Sequence, residues 1–218
     1  MVEEGIICPY PGLRTFTEEE SIFFKGRDEH IRKASNLLEH RKFLMITGAS
    51  GEGKSSIVYA GIVPFARGGF IKSEYSNWAV VDFRPERSPL ENFSHCLEDA
   101  FSDLDQSVIR TNLGKGFSSL VALYKNSPLY VDTASEEWNE ADEKGQKILK
   151  RQAANLLVIV DQFEEFFTNS ENYVNGVPSD ESALVVSTLL ETARIAARDN
   201  LPIYIVFTMR SDFIGQCA

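Results

Sequence analysis

Four short apolar runs, rich in β-branched residues, punctuate the chain: Phe43–Ile46 (FLMI), Ala79–Phe83 (AVVDF), Leu156–Val160 (LLVIV) and Ile203–Phe207 (IYIVF). None alternates cleanly between apolar and polar. A strand wetted on one side alternates, whereas a strand covered on both faces does not. The runs therefore predict a parallel sheet packed between helices. Between them the apolar period becomes helical. Ile31, Ala34 and Leu38 share a face before the first run, and Asp28 is placed to cap that helix after a turn at Gly26. After the second run, Leu90, Phe93, Leu97, Phe101 and Leu104 follow the 3.6-residue period. Ser88, Pro89 and Glu91 predict a capping box at the start of that helix. Before the fourth run, Val185, Leu189 and Ala196, flanked by Val186, Leu190, Ala193 and Ala197, form a broad stripe that Asn200 and Pro202 end. Strand and helix in alternation predict an α/β domain with a doubly wound, three-layer architecture.

Two segments depart from this alternation. Acids stand at 132, 136, 137, 140, 142 and 143 with no base among them, which reads as a solvated face or a docking surface for a basic partner. From Glu171 to Ser182, Asn, Gly, Pro, Ser and Asp dominate and predict a mobile surface loop.

Composition narrows the possibilities. The chain has 218 residues, 43% hydrophobic and 25% charged, which excludes disorder along its whole length and leaves room for one α/β core. With 22 Lys+Arg against 32 Asp+Glu, the net charge of −10 disfavours a broad nucleic-acid or anionic-membrane surface. Cys8, Cys96 and Cys217 are sparse and widely spaced, the pattern of a reduced, cytoplasmic protein rather than of a disulfide framework. His30, His40 and His95 lie in no zinc-ligand spacing. The amino terminus has no basic n-region, and no apolar run approaches the roughly 20 residues of a membrane helix.

The chemistry concentrates at strand ends. Gly48-Ala-Ser50-Gly51-Glu52-Gly53-Lys54-Ser55 fits GxxxxGK[ST], follows the first strand and opens a helix predicted to run to about Val63, before Pro64. Its glycines let the backbone N–H groups turn inward around a phosphate, and the helix N-terminus adds positive potential. Lys54 is positioned for the β- and γ-phosphates and Ser55 for Mg²⁺, with Ser50, Glu52 and Ser56 in the same loop and first turn. A phosphate loop needs a carboxylate at the end of a neighbouring buried strand, and Asp161 after LLVIV supplies it as the Mg²⁺ partner. Gln162 follows, where many ATPases carry a catalytic glutamate; an amide orients water but takes no proton. Glu164 and Glu165 are then the alternatives for polarising the attacking water, or both simply charge a helix start. Slow turnover is the expectation. At the tip of the fourth strand, Arg210, helped by Thr208, is placed to sense the γ-phosphate, or to pair with Asp212 or with an acid of the 164–165 pair. Residues 1–27, with Pro9-Tyr10-Pro11-Gly12, form an extended aromatic lead-in expected to lie over the site. Arg27 and Phe24 contact or flank the base, or the aromatics close the edge of the core. Residues 28–218 are the core.

These motifs, in this order, resemble the STAND class of P-loop NTPases, in particular the novel STAND NTPase 1 family. CPYPGLRTFTEEESIFFKGRDEHI resembles its opening, GASGEGKSSIVYAGIVP its loop and helix, VVDFRPERSPLENF its second strand and turn, and VIVDQFEEFFT and FTMRSDFIGQCA its acidic and sensor motifs. Thr15 stands where the family usually has proline, and Lys25 interrupts its Phe-Gly step. DQFEE is the family's own form, so the resemblance does not imply a dead site at Gln162. The resemblance implies an ASCE/AAA+-like core using ATP, ADP and Mg²⁺. It implies a regulated switch that exchanges ADP for ATP, self-associates and drives an effector through other protein domains or subunits, with relatives in antiphage defence. It also implies a further strand and lid domains beyond residue 218. A small-molecule kinase would need an Arg-rich lid and a GTPase an NKxD motif, and neither is evident.

Overall fold

The computed structural model describes Gly12 and residues 14–217. In chain order the elements are α1 (Asp28–Arg41), β1 (Phe43–Gly48), α2 (Lys54–Ile57), a π-helical turn (Val58–Ile62), α3 (Val63–Arg67), β2 (Asn77–Phe83), α4 (Pro89–Glu98), α5 (Gln106–Leu113), α6 (Ser119–Lys125), α7 (Glu136–Glu140), α8 (Glu143–Gln152), β3 (Ala154–Val160), α9 (Glu165–Thr168), β4 (Tyr173–Val174), β5 (Val177–Pro178), α10 (Asp180–Asp199) and β6 (Ile203–Arg210). A 3₁₀ helix, Ser211–Cys217, follows β6.

The four apolar runs form one parallel sheet in the order β1-β6-β3-β2. Its faces explain why the runs do not alternate. Leu156, Val158 and Val160 of β3, with Ile203, Ile205 and Phe207 of β6, enter a core shared with α4, α5, α6 and α10. Leu157, Ile159, Tyr204 and Val206 point the other way, into a core closed by α1 and the helix that follows β1. Every residue of β3 is buried. The fold is thus the three-layer α/β arrangement that the pattern predicts, and all four strands carry their C-terminal ends to one edge.

The elements differ from expectation in four places. The helix after β1 does not stop before Pro64 but runs through it to Arg67. A proline ring clashes with the carbonyl four residues back in a regular α-helix, and the wider π turn just before Pro64 relieves that conflict. Ser88 holds the N-cap position of α4, yet its side chain makes no capping hydrogen bond. Its backbone is outside the extended region that aims a capping hydroxyl at the helix, and Phe101 and Leu104 lie past the end of α4. Asp28 is the first residue of α1 rather than its cap, which is Arg27; there it still meets the positive helix end. Finally, the 171–182 segment is not a structureless loop. It contains the β4–β5 hairpin, turned by Asn175 and Gly176 at φ 52° and 82°, and Ser179, whose hydroxyl accepts from Ser182 N–H to cap α10. The acidic segment folds as α7 and the start of α8, capped by Ser135 and Asp142.

Candidate functional site

The loop between β1 and α2 turns back through two glycines with left-handed backbones, Gly51 (φ 80°) and Gly53 (φ 79°). Only a residue without a Cβ takes such angles at no steric cost. At Gly48 a Cβ would meet the tip of the Glu52 carboxylate, an exposed side chain that accepts the Ala49 N–H at 2.8 Å and would have to shift. Lys54, first residue of α2, folds over the loop, its Nζ donating to the Gly48 and Ala49 carbonyls at 3.1 and 2.8 Å. Ser56 is buried, and its Oγ accepts the Phe16 N–H at 3.1 Å, tying the lead-in to the loop helix.

Asp161 sits at the end of β3 with 1% of its surface exposed. Its Oδ1 accepts from Ser55 Oγ at 2.6 Å and from Thr208 Oγ1 at 2.7 Å. Its Oδ2 accepts from Arg84 Nε at 3.1 Å and Nη2 at 2.8 Å. A carboxylate this deep requires such partners, because desolvation of an unpaired charge costs several kcal/mol. Sheet order brings them together: β6 lies between β1 and β3, so Thr208 reaches Asp161 from one side, and Arg84 reaches it from β2 on the other.

The residues after Asp161 diverge in direction. Gln162 adopts φ 59° and its N–H donates to Thr208 Oγ1 at 3.0 Å. Glu164 is 8% exposed, and its Oε2 accepts the Arg210 N–H at 3.2 Å. Gln162, Glu164, Thr208 and Arg210 all line the cavity of about 580 Å³ above the loop. Glu165 lines a different cavity, of about 570 Å³, and its carboxylate accepts the Glu86 N–H at 2.9 Å. Burial raises the Glu165 pKa, while the Glu86 N–H and the Arg84 charge pull it back. The Arg210 guanidinium pairs with Asp212, at 3.1 and 2.6 Å, and lies over the Phe213 ring.

Of the lead-in, Gly12, Arg14, Phe16, Phe24 and Arg27 line the same cavity as the phosphate loop. The Phe16 and Phe24 rings stand 5.3 Å apart, and Arg27 Nη2 donates to the Glu52 carbonyl at 3.3 Å. Pro9, Tyr10, Pro11, Leu13 and Cys8 lie outside the described residues, as do Ala218 and the Cys217 side chain. Cys96 is a free thiol that burial pushes far above its usual pKa. Among the described residues no helix is long and apolar enough to cross a membrane, and no cluster of three or more His, Cys, Asp or Glu is arranged to hold a metal. One hydroxyl and one carboxylate, both hard oxygen donors, suit Mg²⁺, which is commonly held by one or two protein oxygens plus phosphate and water.

The site thus brings residues 50–56, Gln162, Glu164, Thr208 and Arg210 around one cavity, with Asp161 joined to it through Ser55 and Thr208 and Glu165 in the neighbouring cavity. Sequence reasoning missed Arg84. It lies within the VVDFRPERSPLENF segment, but its pairing with Asp161 becomes evident only once β2 is known to flank β3.

The family model for Novel STAND NTPase 1 matches residues 9–218, and the chain belongs to that family. No curated protein and no solved structure matches it.

Proposed function

We propose that this Novel STAND NTPase 1 family member is a switch that binds ATP and ADP with Mg²⁺ and hydrolyses ATP slowly. The observation that carries the reading is the 2.6 Å hydrogen bond between Ser55 and Asp161, which joins the phosphate loop to a buried strand-end carboxylate beside it. In this reading Gly48, Ser50, Gly51, Glu52, Gly53, Lys54, Ser55 and Ser56 cradle the phosphates, with Lys54 Nζ turning from the loop carbonyls to the phosphate oxygens. Ser55 and Asp161 hold Mg²⁺, which when bound supplies positive charge to the phosphate oxygens. Glu164 is the base for water, because it shares the cavity with the loop; Glu165 serves the turn after β2 instead. Arg210 meets the γ-phosphate once it leaves Asp212. That exchange, and the amide at Gln162, support slow turnover. Residues 12 and 14–27 fold over the base, with Phe24 and Arg27 flanking it. Nucleotide exchange then governs self-association and effector signalling in the full protein, the part of the reading that rests on family resemblance.

The test is calorimetric titration with MgATP and MgADP. Lys54→Ala is expected to weaken ATP binding about 10- to 100-fold, the equivalent of roughly 1.5–3 kcal/mol of charge-assisted hydrogen bonding. ATP binding as tight in Lys54→Ala as in the wild type overturns the site assignment.

A further inference from the structure

Arg84 is the first residue beyond β2, and strand register sets it beside Asp161. Phe83 pairs with Val160, and the Asp161 N–H donates to the Phe83 carbonyl at 3.0 Å. The backbone that carries Arg84 is fixed from α4, where Asn92 Nδ2 donates to the Arg84 and Pro85 carbonyls at 3.1 and 3.2 Å. Two guanidinium donors fall on Oδ2 of Asp161, while the Ser55 and Thr208 hydroxyls fall on Oδ1. A carboxylate offers about four lone-pair positions, and here all four have donors. The partners differ in freedom. Ser55 and Thr208 are short side chains on a helix start and a central strand. The Arg84 side chain is long and 47% exposed, against 2% for Asp161, so it can swing into water without unfolding anything.

A divalent cation that approaches Asp161 meets an oxygen already occupied and a like charge a few ångströms away. At an effective dielectric constant of about 20, such a repulsion is worth kcal/mol rather than tenths. We propose that Arg84 competes with the cation for Asp161. It supplies the counter-charge that orients the buried carboxylate, and it weakens binding of a free divalent cation. Tight cation binding then requires the extra negative charge of nucleotide phosphates, so that metal and nucleotide enter together. Arg84 is a positioning residue in this scheme, acting through Asp161. The inference rests on the reading of Ser55 and Asp161 as the cation pair.

The test uses Mn²⁺ alone, titrated into nucleotide-free protein and followed by electron paramagnetic resonance. Arg84→Gln, which keeps a donor and loses the charge, is expected to bind Mn²⁺ at least about ten-fold more tightly than the wild type. In EDTA the same variant is expected to melt below the wild type, and Mn²⁺ is expected to raise its melting temperature by more than it raises that of the wild type. Adding Asp161→Asn to Arg84→Gln should abolish the gain in affinity. Unchanged or weaker Mn²⁺ binding by Arg84→Gln overturns the proposal; if Asp161→Asn still costs the otherwise wild-type protein its MnATP binding, the reading of the site stands. A gain that survives Asp161→Asn places the cation elsewhere and overturns both. If Arg84→Gln does not fold, Arg84→Lys carries the same comparison. It keeps the charge but loses the two-donor grip on Oδ2, so a smaller gain supports the proposal and no gain overturns it.

Discussion

Two adjacent glutamates show how one peptide step decides a role. Glu164 is nearly buried and lines the cavity that holds Gln162 and Arg210, whereas Glu165 turns to the Glu86 N–H in the neighbouring cavity. Glu164→Gln keeps an acceptor for the Arg210 N–H and removes the proposed base. It is expected to lower kcat for ATP hydrolysis by at least about 100-fold with ATP affinity preserved; single-turnover phosphate release checks this, and a wild-type rate rules the base out. Glu165→Gln is expected to leave hydrolysis within a few-fold and to act on stability instead. Because burial raises its pKa, the folded protein holds the Glu165 proton more tightly than the unfolded chain does. Its contribution therefore favours folding at acid pH and is lost as pH rises through the folded value. The amide does not suffer that loss. Urea unfolding at a series of pH values should find Glu165→Gln as stable as the wild type or more so at pH 7, with the difference vanishing below about pH 4. A deficit that grows toward neutral pH contradicts the assigned cause.

At the scale of elements, the helix after the phosphate loop must lie close to α1 for the second core to close. Gly61, in the π turn, is where they meet. A Cβ there would stand 2.6 Å from Ile31 Cγ1 and 2.8 Å from its Cδ1, and a buried β-branched side chain has few rotamers to yield. Gly61→Ala gains up to about 1 kcal/mol of helix propensity but incurs overpacking of about 1–3 kcal/mol, so net destabilisation is expected in urea melts. Ile31→Ala opens the space, and the double variant should lose less than the two single losses combined; additive losses place the strain elsewhere. The same scale separates what was legible in the chain from what was not. The four strands were, because burial on both faces leaves unbroken apolar runs, as in Leu156–Val160. The phosphate loop and Asp161 were, because phosphate binding demands fixed residue types next to a strand. The hairpin was not: two-residue strands have no period, and the Asn175-Gly176 turn lies within a stretch whose Asn, Gly, Pro and Ser content matches that of a loop. Arg84 was not, because its partner stands 77 residues away in sequence and depends on strand order, which no local pattern encodes.

For the molecule as a whole, the site is a seam between a deeply packed sheet and a lightly held lead-in. The central strands have almost no exposed surface. By contrast, residues 14–27 are fastened to the loop helix by the Phe16–Ser56 hydrogen bond, the Glu18–Arg67 ion pair at 2.9 Å and the packing of Phe24 against the second core. Ion pairs this exposed contribute little, typically below about 1 kcal/mol, so this segment is expected to open far more often than the sheet unfolds. Lys25 and Gly26 are both exposed, which offers trypsin a bond that opening frees. If nucleotide lies between the lead-in and the loop, it binds the closed form and suppresses opening in proportion to its saturation. At 100 times Kd the shift is about 2.7 kcal/mol, or roughly 100-fold in the open population. MgATP should therefore slow cleavage after Lys25 by about that factor in the wild type and by only about 2- to 11-fold in Lys54→Ala at the same concentration. Protection that appears at bonds in the core but not after Lys25 would mean that nucleotide binds without engaging the lead-in, and Phe24 and Arg27 would then belong to packing alone.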